Sequence, residues 1–331
     1  DKLVTGVQTC ALPICVKWVD LKLQEGNSVS RWTRPERNGL GMMTHLIAGY
    51  RTRNGEIVAN IEATKLTVEG GRVTGFEGRN IATGEPVTVA SKAVVMTTGG
   101  FNSNHDMVLE NCPDLRSDKV LVGSGPGSTG GGHKLISAVG GYLTHMDHNW
   151  FYIYATPDYR DPAQNRGLAF RHVPGYIWVN QQGQRFHNEE ISGGNSASPA
   201  LMAQRPRHAW AIMDAAMMRS MEISDPYYRD GDKVLRAKVD ELLDKSPYVR
   251  KAGTLADLAK AIDVDVPAFL DTVERYNKAC AQGLKNEPEF GKPLNASKAF
   301  DTPPYTAMQI FPMAPKNFGG VKTDLRCRVL D

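Results

Sequence analysis

The sequence lacks any apolar run near the roughly 18–20 residues a bilayer-spanning helix needs, so no transmembrane segment is expected. It also lacks a run of Lys or Arg of the kind that tracks phosphates. Its 39 basic and 36 acidic side chains leave a net charge of only +3, so no nucleic-acid partner is expected. No G-x-S-x-G elbow, paired Cys-x-x-Cys or Walker loop occurs, so hydrolase and P-loop readings lack support. Cysteine is sparse, with five in 331 residues. Cys112, Cys280 and Cys327 are isolated and odd in number, which points to a reducing compartment such as the cytoplasm, without a disulfide framework. His145-x-x-His148 with Asp147 has no third distant ligand, so no metal is expected.

A chain of 331 residues is long enough for about two domains. Hydrophobic residues make up 41% and charged residues 23%, ordinary globular usage, so disorder is not the default. Glycine is abundant at 32, and much of it lies between Gly99 and Gly141. Clustered glycine implies backbone at unusual dihedrals or in close contact with a ligand. Residues 4–14 read VTGVQTCALPI, which resembles a translated sequencing adapter. It lacks the cationic start and long apolar stretch of a signal peptide. Residues 1–16 are therefore set aside as non-native. Cys10 becomes an artefact, Cys15 marks the junction, and the true N-terminus is expected to be missing.

Along the chain, Trp18–Asn38 reads as polar and irregular. Gly41–Tyr50 has helical spacing, with Met42, Met43, Leu46 and Ile47 on one side. Strand-like runs follow at Ile57–Ala59, Ala63–Val68 and Val73–Phe76, the last two joined by a Gly70-Gly71 turn. Ala93–Met96 is a short apolar run ending in Thr97-Thr98-Gly99-Gly100-Phe101, which suits a buried strand opening into a ligand site. Lys119–Gly141 fits strand, glycine turn and short helix. Ile177–Asn180 and Gln184–Phe186 flank Gln181-Gln182-Gly183 as a hairpin, with Arg185 and Glu189 expected to form a structural ion pair. Helices are expected at Asp232–Ser246, after the capping box at Thr254, and from Asp265 to Gly283. Ala307–Phe311 and Val321–Val329 read as closing strands.

Gly125-Pro-Gly127-Ser-Thr-Gly130 is a literal G-x-G-x-x-G after a strand and before a helix, with Asp147 downstream. By letter this is a dinucleotide fingerprint and would make the protein an NAD(P)-dependent dehydrogenase. The helix that follows is about two turns, short for crossing back over a sheet.

Taken together, four blocks resemble the fumarate reductase and succinate dehydrogenase flavoprotein superfamily, whose branches include 3-ketosteroid and tricarballylate dehydrogenases. They are Ala93-Val-Val-Met-Thr-Thr-Gly-Gly-Phe101, Pro126-Gly-Ser-Thr-Gly-Gly-Gly132 with Gly140-Gly141, Ile177 to Glu189, and Asn317-Phe-Gly-Gly-Val-Lys-Thr-Asp324. The resemblance implies an α/β, Rossmann-like FAD-binding domain interrupted by an α+β capping domain. Residues 17–148 and 318–331 would belong to the FAD domain, and 149–317 to the cap. Thr97, Thr98, Gly99, Gly100, Phe101, Thr129, Gly130, Gly131, Gly132, Gly319 and Gly320 would approach FAD. The family's N-terminal G-x-G-x-x-G and C-terminal A-G-E segment are absent, and both are expected to lie outside a sequence truncated at both ends. Gly131 also stands where the family has Asp.

The resemblance further implies a flavin-dependent dehydrogenase or reductase acting on a carbon–carbon bond beside a carbonyl or carboxylate. The implied substrate is a small carboxylate or cyclic ketone, with the electron acceptor left open. Gly193 or Gly194 stands where fumarate reductases carry their proton-donating Arg, which argues against fumarate reduction. Lys316 and Tyr152 match two substrate-binding His positions, and His172, beside Arg171, matches a cap Arg. Arg171 and Lys316 are the candidates for oxygen recognition; Tyr152, His172 and Tyr305 are the candidates for proton transfer. Two other readings stand beside this one: an incomplete noncatalytic fragment and a plain binding module.

Overall fold

A computed structural model describes residues 16–22, 28–171, 173–191, 197–231, 233–294 and 299–331, leaving aside the side chains of Lys22 and Arg171. His172, Gly193, Gly194, Cys10 and Cys15 lie outside the described residues. The chain divides into two compact units, residues 1–93 with 231–233, and residues 94–230 with 234–331.

The smaller unit holds β1 (Trp18–Lys22), β2 (Trp32–Pro35), α1 (Asn38–Arg51), β3 (Ile61–Glu69), β4 (Arg72–Asn80) and β5 (Pro86–Ala90). The segment read as irregular is in fact the antiparallel β1–β2 pair. Asp20 and Arg34 face each other across it and form an ion pair at 2.8 Å. The alternation was invisible because a half-buried position is held by a carboxylate rather than an apolar side chain. Helix α1 forms as expected, but Met43 and Leu46 remain exposed. Ile57–Ala59 is not a strand: Asn60 takes a left-handed φ of 61°, and pairing starts at Ile61. From there β3, β4 and β5 form a meander, turning at Gly70 and Gly71, both with positive φ.

The larger unit runs in order through α2 (His105–Asn111), β6 (Leu121–Val122), α3 (Gly131–Ser137), β7 (Leu143–Thr144), β8 (Asn149–Pro157), β9 (Gly167–Arg171) and β10 (Ile177–Val179). It continues through α4 (Ala197–Met202), β11 (Ala209–Met213), α5 (Ala215–Met218), β12 (Glu222–Ile223), β13 (Arg229–Asp230) and β14 (Lys233–Val234). Last come α6 (Arg236–Lys245), β15 (Val249–Ala252), α7 (Leu255–Ala261), α8 (Val266–Ala281), β16 (Tyr305–Asn317) and β17 (Gly320–Val321).

β16 is the spine of the main sheet, whose order is β10-β11-β16-β8-β9-β12, with β15 and β6 also on β16. Its first half pairs with β11 and β15, and its second half with β8 and, in parallel, β6. The β8–β16 register shifts twice, between Phe311 and Met313 and between Met313 and Lys316. Pro312 and Pro315 fall in those two gaps, where a residue without an N–H cannot extend the ladder. The shifts bring Lys316 opposite Trp150 and Asn317 opposite Asn149.

The helices behave as their caps dictate. Asp265 Oδ1 accepts the Ala268 N–H at 2.8 Å, and α8 buries Phe269, Thr272, Val273, Tyr276 and Ala279 along one face. Thr254 Oγ1 accepts the Asp257 N–H at 3.1 Å and starts α7. Helix α6 begins at Arg236 rather than near Asp232, because Lys233 and Val234 are extended.

Two further expected strands are corrected. Residues 93–100 are not a strand, and Val95 is 84% exposed. A strand exists only by pairing, and among the described residues none pairs with this run. The closing strand is limited to Gly320–Val321. Beyond it the Asp324 carboxylate accepts the N–H groups of Arg326 and Arg328 at 2.8 and 2.9 Å, a local turn that competes with the ladder. Among the described residues, no helix is long and apolar enough to cross a membrane.

Candidate functional site

Three glycine-bearing segments converge in the larger unit. The Gly130 N–H donates to Gly100 O at 3.1 Å, joining the Thr97–Phe101 segment to the entry of α3. The Ser103 N–H donates to Ser128 O at 2.9 Å, and Asn104 Nδ2 donates to Thr129 O at 3.2 Å. A β-carbon on Gly132 would stand 1.9 Å from Thr98 Oγ1, and one on Gly100 would stand 2.1 Å from Asn317 Oδ1. A β-carbon on Gly319 would meet His145 O at 1.7 Å. At Gly319 backbone occupies the place of a side chain, while at Gly132 and Gly100 the side chains of Thr98 and Asn317 do so. Phe101 is fully buried and meets the His133 ring edge-on at 5.6 Å. Burial pulls His133 below the usual histidine range, and its Nδ1 has no partner among the described residues.

Beneath this turn lies a polar network that sequence reasoning missed. Asn102 Nδ2 donates to Asn149 Oδ1 at 2.8 Å, and Asn149 Nδ2 reaches Cys112 Sγ at 3.2 Å. Burial pushes the Cys112 thiol up. The only sequence signal was position, since Asn102 follows the Gly-Gly-Phe block and Asn317 precedes the last Gly-Gly.

The candidate chemical residues divide by their place on the ladder. Lys316 faces Trp150 across β8, its ammonium 5.3 Å from the ring centroid. Tyr152 is two residues along β8, opposite Met313, and stacks on Tyr154 at 5.2 Å. Arg171 ends β9, two residues beyond Ala169, the partner of Ala155. Its backbone is therefore toward the Tyr152 end of β8. Tyr305 begins β16, eleven residues from Lys316, or roughly 35 Å along an extended strand. It is not brought to Lys316 and Tyr152.

The Ile177–Glu189 hairpin forms as read, with Gly183 at φ 73° and Val179 bridged to Arg185. Arg185 grips Glu189 through two hydrogen bonds of 2.9 and 2.8 Å, wholly buried. Glu287 joins Arg185 at 3.1 Å, and Lys292 lies 3.4 Å from Glu189 and donates to Tyr176 O. Burial alone would raise Glu189, but Lys292 and Arg185 more than reverse this and hold it below the usual carboxylate range. The Trp178 N–H also donates to Glu189 Oε1 at 2.9 Å. This cluster ties the hairpin to the loop after α8. Loop partners so distant in the chain left no signal in the sequence.

The G-x-G-x-x-G run has a different setting from a dinucleotide fingerprint. After α3 the chain enters β7, which pairs antiparallel with β17, whereas β6 lies parallel to β16. The parallel βαβ unit that fingerprint requires is not formed. His148 Nδ1 lies 2.8 Å from Asp147 Oδ1 on an exposed turn.

Residues 16–331 match the FAD binding domain family. The chain belongs to that family. This FAD-binding chain is 27% identical over 317 residues to a fumarate reductase (cytochrome) from Shewanella frigidimarina, covering 94% of this chain and 51% of that protein. It is 26% identical over 329 residues to a 3-oxosteroid 1-dehydrogenase from Mycolicibacterium smegmatis, covering 89% and 55%. It is also 26% identical to an NADH:fumarate oxidoreductase from Klebsiella pneumoniae, over 96% of this chain and 33% of that protein. The chain thus spans from a third to about half of these relatives. Its fold is shared with an open flavocytochrome c3 fumarate reductase, with a TM-score of 0.66, 24% identity, and 99% of this chain on 55% of the other. It is shared too with a 3-ketosteroid delta1-dehydrogenase from Sterolibacterium denitrificans, with a TM-score of 0.68, 24% identity, and 90% on 55%.

The cofactor of the family is FAD. The Thr97–Gly99 run fits such a ligand in ways the structure shows. All three residues are exposed, and Gly99 turns at a left-handed φ of 75°. None of their N–H groups donates to an acceptor among the described residues. The turn is backed by Gly132 and by Asn317 behind Gly100, so its peptide edge is held open.

Proposed function

We propose that this chain is part of an FAD-dependent oxidoreductase that dehydrogenates or reduces a carbon–carbon bond beside a carboxylate or carbonyl. One observation carries the reading. The β8–β16 ladder that bears Tyr152 and Lys316 ends at Asn317, and Asn317 packs behind Gly100 of the open turn. Lys316, a candidate substrate group, and Asn317, which backs the candidate cofactor backbone, are therefore consecutive at one strand end, on its two faces.

Bound FAD would supply two-electron chemistry. Thr97, Thr98 and Gly99 would hold it through backbone, with Gly130, Gly131 and Gly132 alongside, and Gly319 and Gly320 would close the same corner. Lys316 is exposed and has no anionic partner among the described residues. Its ammonium would take a substrate oxygen and favour negative charge developing there. The Tyr152 hydroxyl would hold or move the proton on the neighbouring carbon. Arg171 and His172 are retained in the proposal by their place in the sequence, Arg171 as a second oxygen ligand.

The division into lobes belongs to the same proposal: 17–148 with 318–331 as the FAD-binding lobe, and 149–317 as the substrate-covering lobe. The pairing of Asn149 with Asn317 supports it, since the segment then enters and leaves on adjacent strands.

The test is the visible spectrum of the purified full-length protein. Flavin absorbance that bleaches with a saturated acid or ketone, or returns after reduction when an unsaturated one is added, is the expected result. A colourless protein stabilised by NAD but not by FAD would overturn the proposal. Retained flavin that no such substrate changes would make the protein a binding module.

A further inference from the structure

This inference rests on the reading above and concerns how the chain holds the Thr97–Gly100 turn. Asn149 and Asn317 are direct partners on the β8–β16 ladder, so their carboxamides share a face, the one away from Trp150 and Lys316. From that face Asn317 Oδ1 reaches Gly100, standing 2.1 Å from where a β-carbon would be. Two residues beyond Gly100, Asn102 Nδ2 donates to Asn149 Oδ1 at 2.8 Å. The four positions close a ring. Gly100 joins Asn102 through the chain, Asn102 joins Asn149 by a hydrogen bond, Asn149 joins Asn317 across the ladder, and Asn317 returns to Gly100 by contact.

The ring is polar where packing alone asks for apolar side chains. Asn102 is 1% exposed and follows the fully buried Phe101. A buried carboxamide costs stability unless its bonds are made, and what it adds over leucine is direction. The donors run one way here: Asn102 Nδ2 to Asn149 Oδ1, Asn149 Nδ2 to Cys112 Sγ at 3.2 Å, and Cys112 Sγ to Asp147 O at 3.5 Å. That sense turns Asn102 Oδ1, which has no donor among the described residues, toward Gly100, 3.6 Å from the same β-carbon position. Asn317 is tied on its other side, since its Nδ2 donates to Gly319 O. Gly100 thus lies against two oriented carboxamide oxygens, directly after the Thr97–Gly99 run with its unused N–H groups. We propose that Asn102 and Asn149 are positioning residues for FAD, acting on it through Gly100 and the turn before it.

Titration of the full-length apoprotein with FAD, followed by flavin fluorescence, tests this. Asn102→Leu and Asn149→Leu should each raise the FAD dissociation constant about tenfold, the scale of one lost hydrogen bond whose partner is left unpaired. The double variant should bind no more weakly than either single one, because a ring opened once is already open. Thermal unfolding of the apo forms separates this from a purely structural role, which would lower stability and leave FAD affinity alone. A second measurement uses the unaltered protein. By linkage, FAD should slow alkylation of the buried Cys112 by iodoacetamide about tenfold, and more than that of Cys280, which lies on α8 outside the ring. Unchanged FAD affinity in both Leu variants, or protection of Cys112 no greater than that of Cys280, would overturn the inference. If the Leu variants do not fold, the alkylation result decides alone. An unaltered protein that binds no FAD removes both this inference and the reading beneath it, whereas FAD binding that the ring does not affect removes only the inference.

Discussion

The Oγ1 of Thr98 stands 1.9 Å from where a β-carbon on Gly132 would be, so the Thr97–Gly99 turn and the second residue of α3 are in side-chain-to-backbone contact. Gly132→Ala must push the turn outward. The full-length variant should lose most of its bound flavin. Gly127→Ala, where nothing stands within 4 Å of the added β-carbon, should keep it. Equal flavin content in the two variants would show that this contact does not shape the cofactor site.

The buried charges around Arg185 lead to a pH prediction. Burial opposes ionisation of Glu189 and Glu287, but the surrounding cations hold both below the ordinary carboxylate range. A depressed folded-state pKa contributes stability above the unfolded value, about 4.3 for Glu, and that stability is lost as pH falls through the lower folded value. Glu189→Gln should cost about 3–5 kcal/mol at neutral pH, because Arg185 and Lys292 keep less compensation. It should also flatten the acid side of the stability profile. Urea unfolding of both proteins from pH 7 downward measures the two effects, and parallel acid limbs would rule out this role for Glu189.

Lys316 and Tyr305 are on one strand but should behave differently. Lys316→Met should reduce turnover of the full-length enzyme by about 10²–10³, the usual effect of removing one charge-stabilising donor, with flavin content unchanged. Tyr305→Phe should change nothing in steady-state kinetics, because Tyr305 pairs with Ala252 at the opposite end of β16. A large loss with Tyr305→Phe would place the chemistry elsewhere.

Gly183 couples the hairpin turn to α8. Its φ is 73°, and a β-carbon there would meet Asp265 O and Phe269 N at 2.9 Å. Gly183→Ala should destabilise the protein by at least about 1–2 kcal/mol, the cost of left-handed backbone for a non-glycine residue, with the clash adding to it. Gly291→Ala, also left-handed but with nothing within 4 Å, should show only the backbone part. Chemical denaturation distinguishes the two.

Local signals were legible wherever the chain's own neighbours decide the structure. The Asp265 cap and Pro267 placed α8, the Gly70-Gly71 pair placed the β3–β4 turn, and Arg185 with Glu189 placed an ion pair four residues apart. Ala93–Met96 failed as a strand for the opposite reason, since its apolar letters say nothing about what stands beside it. The β1–β2 pair failed because its cross-strand partners, Asp20 and Arg34, are charged.

By itself the order of residues carried the resemblance that pointed to the family and its cofactor, and it determined the turns, because glycine, proline and capping side chains act over a few bonds. Only tertiary packing decided that Lys316 lies with Trp150 and Phe318 while Tyr305 lies far off, and that Asn317 closes the back of the Gly100 turn. Those placements depend on strand register, which two prolines shift and which no local preference can specify.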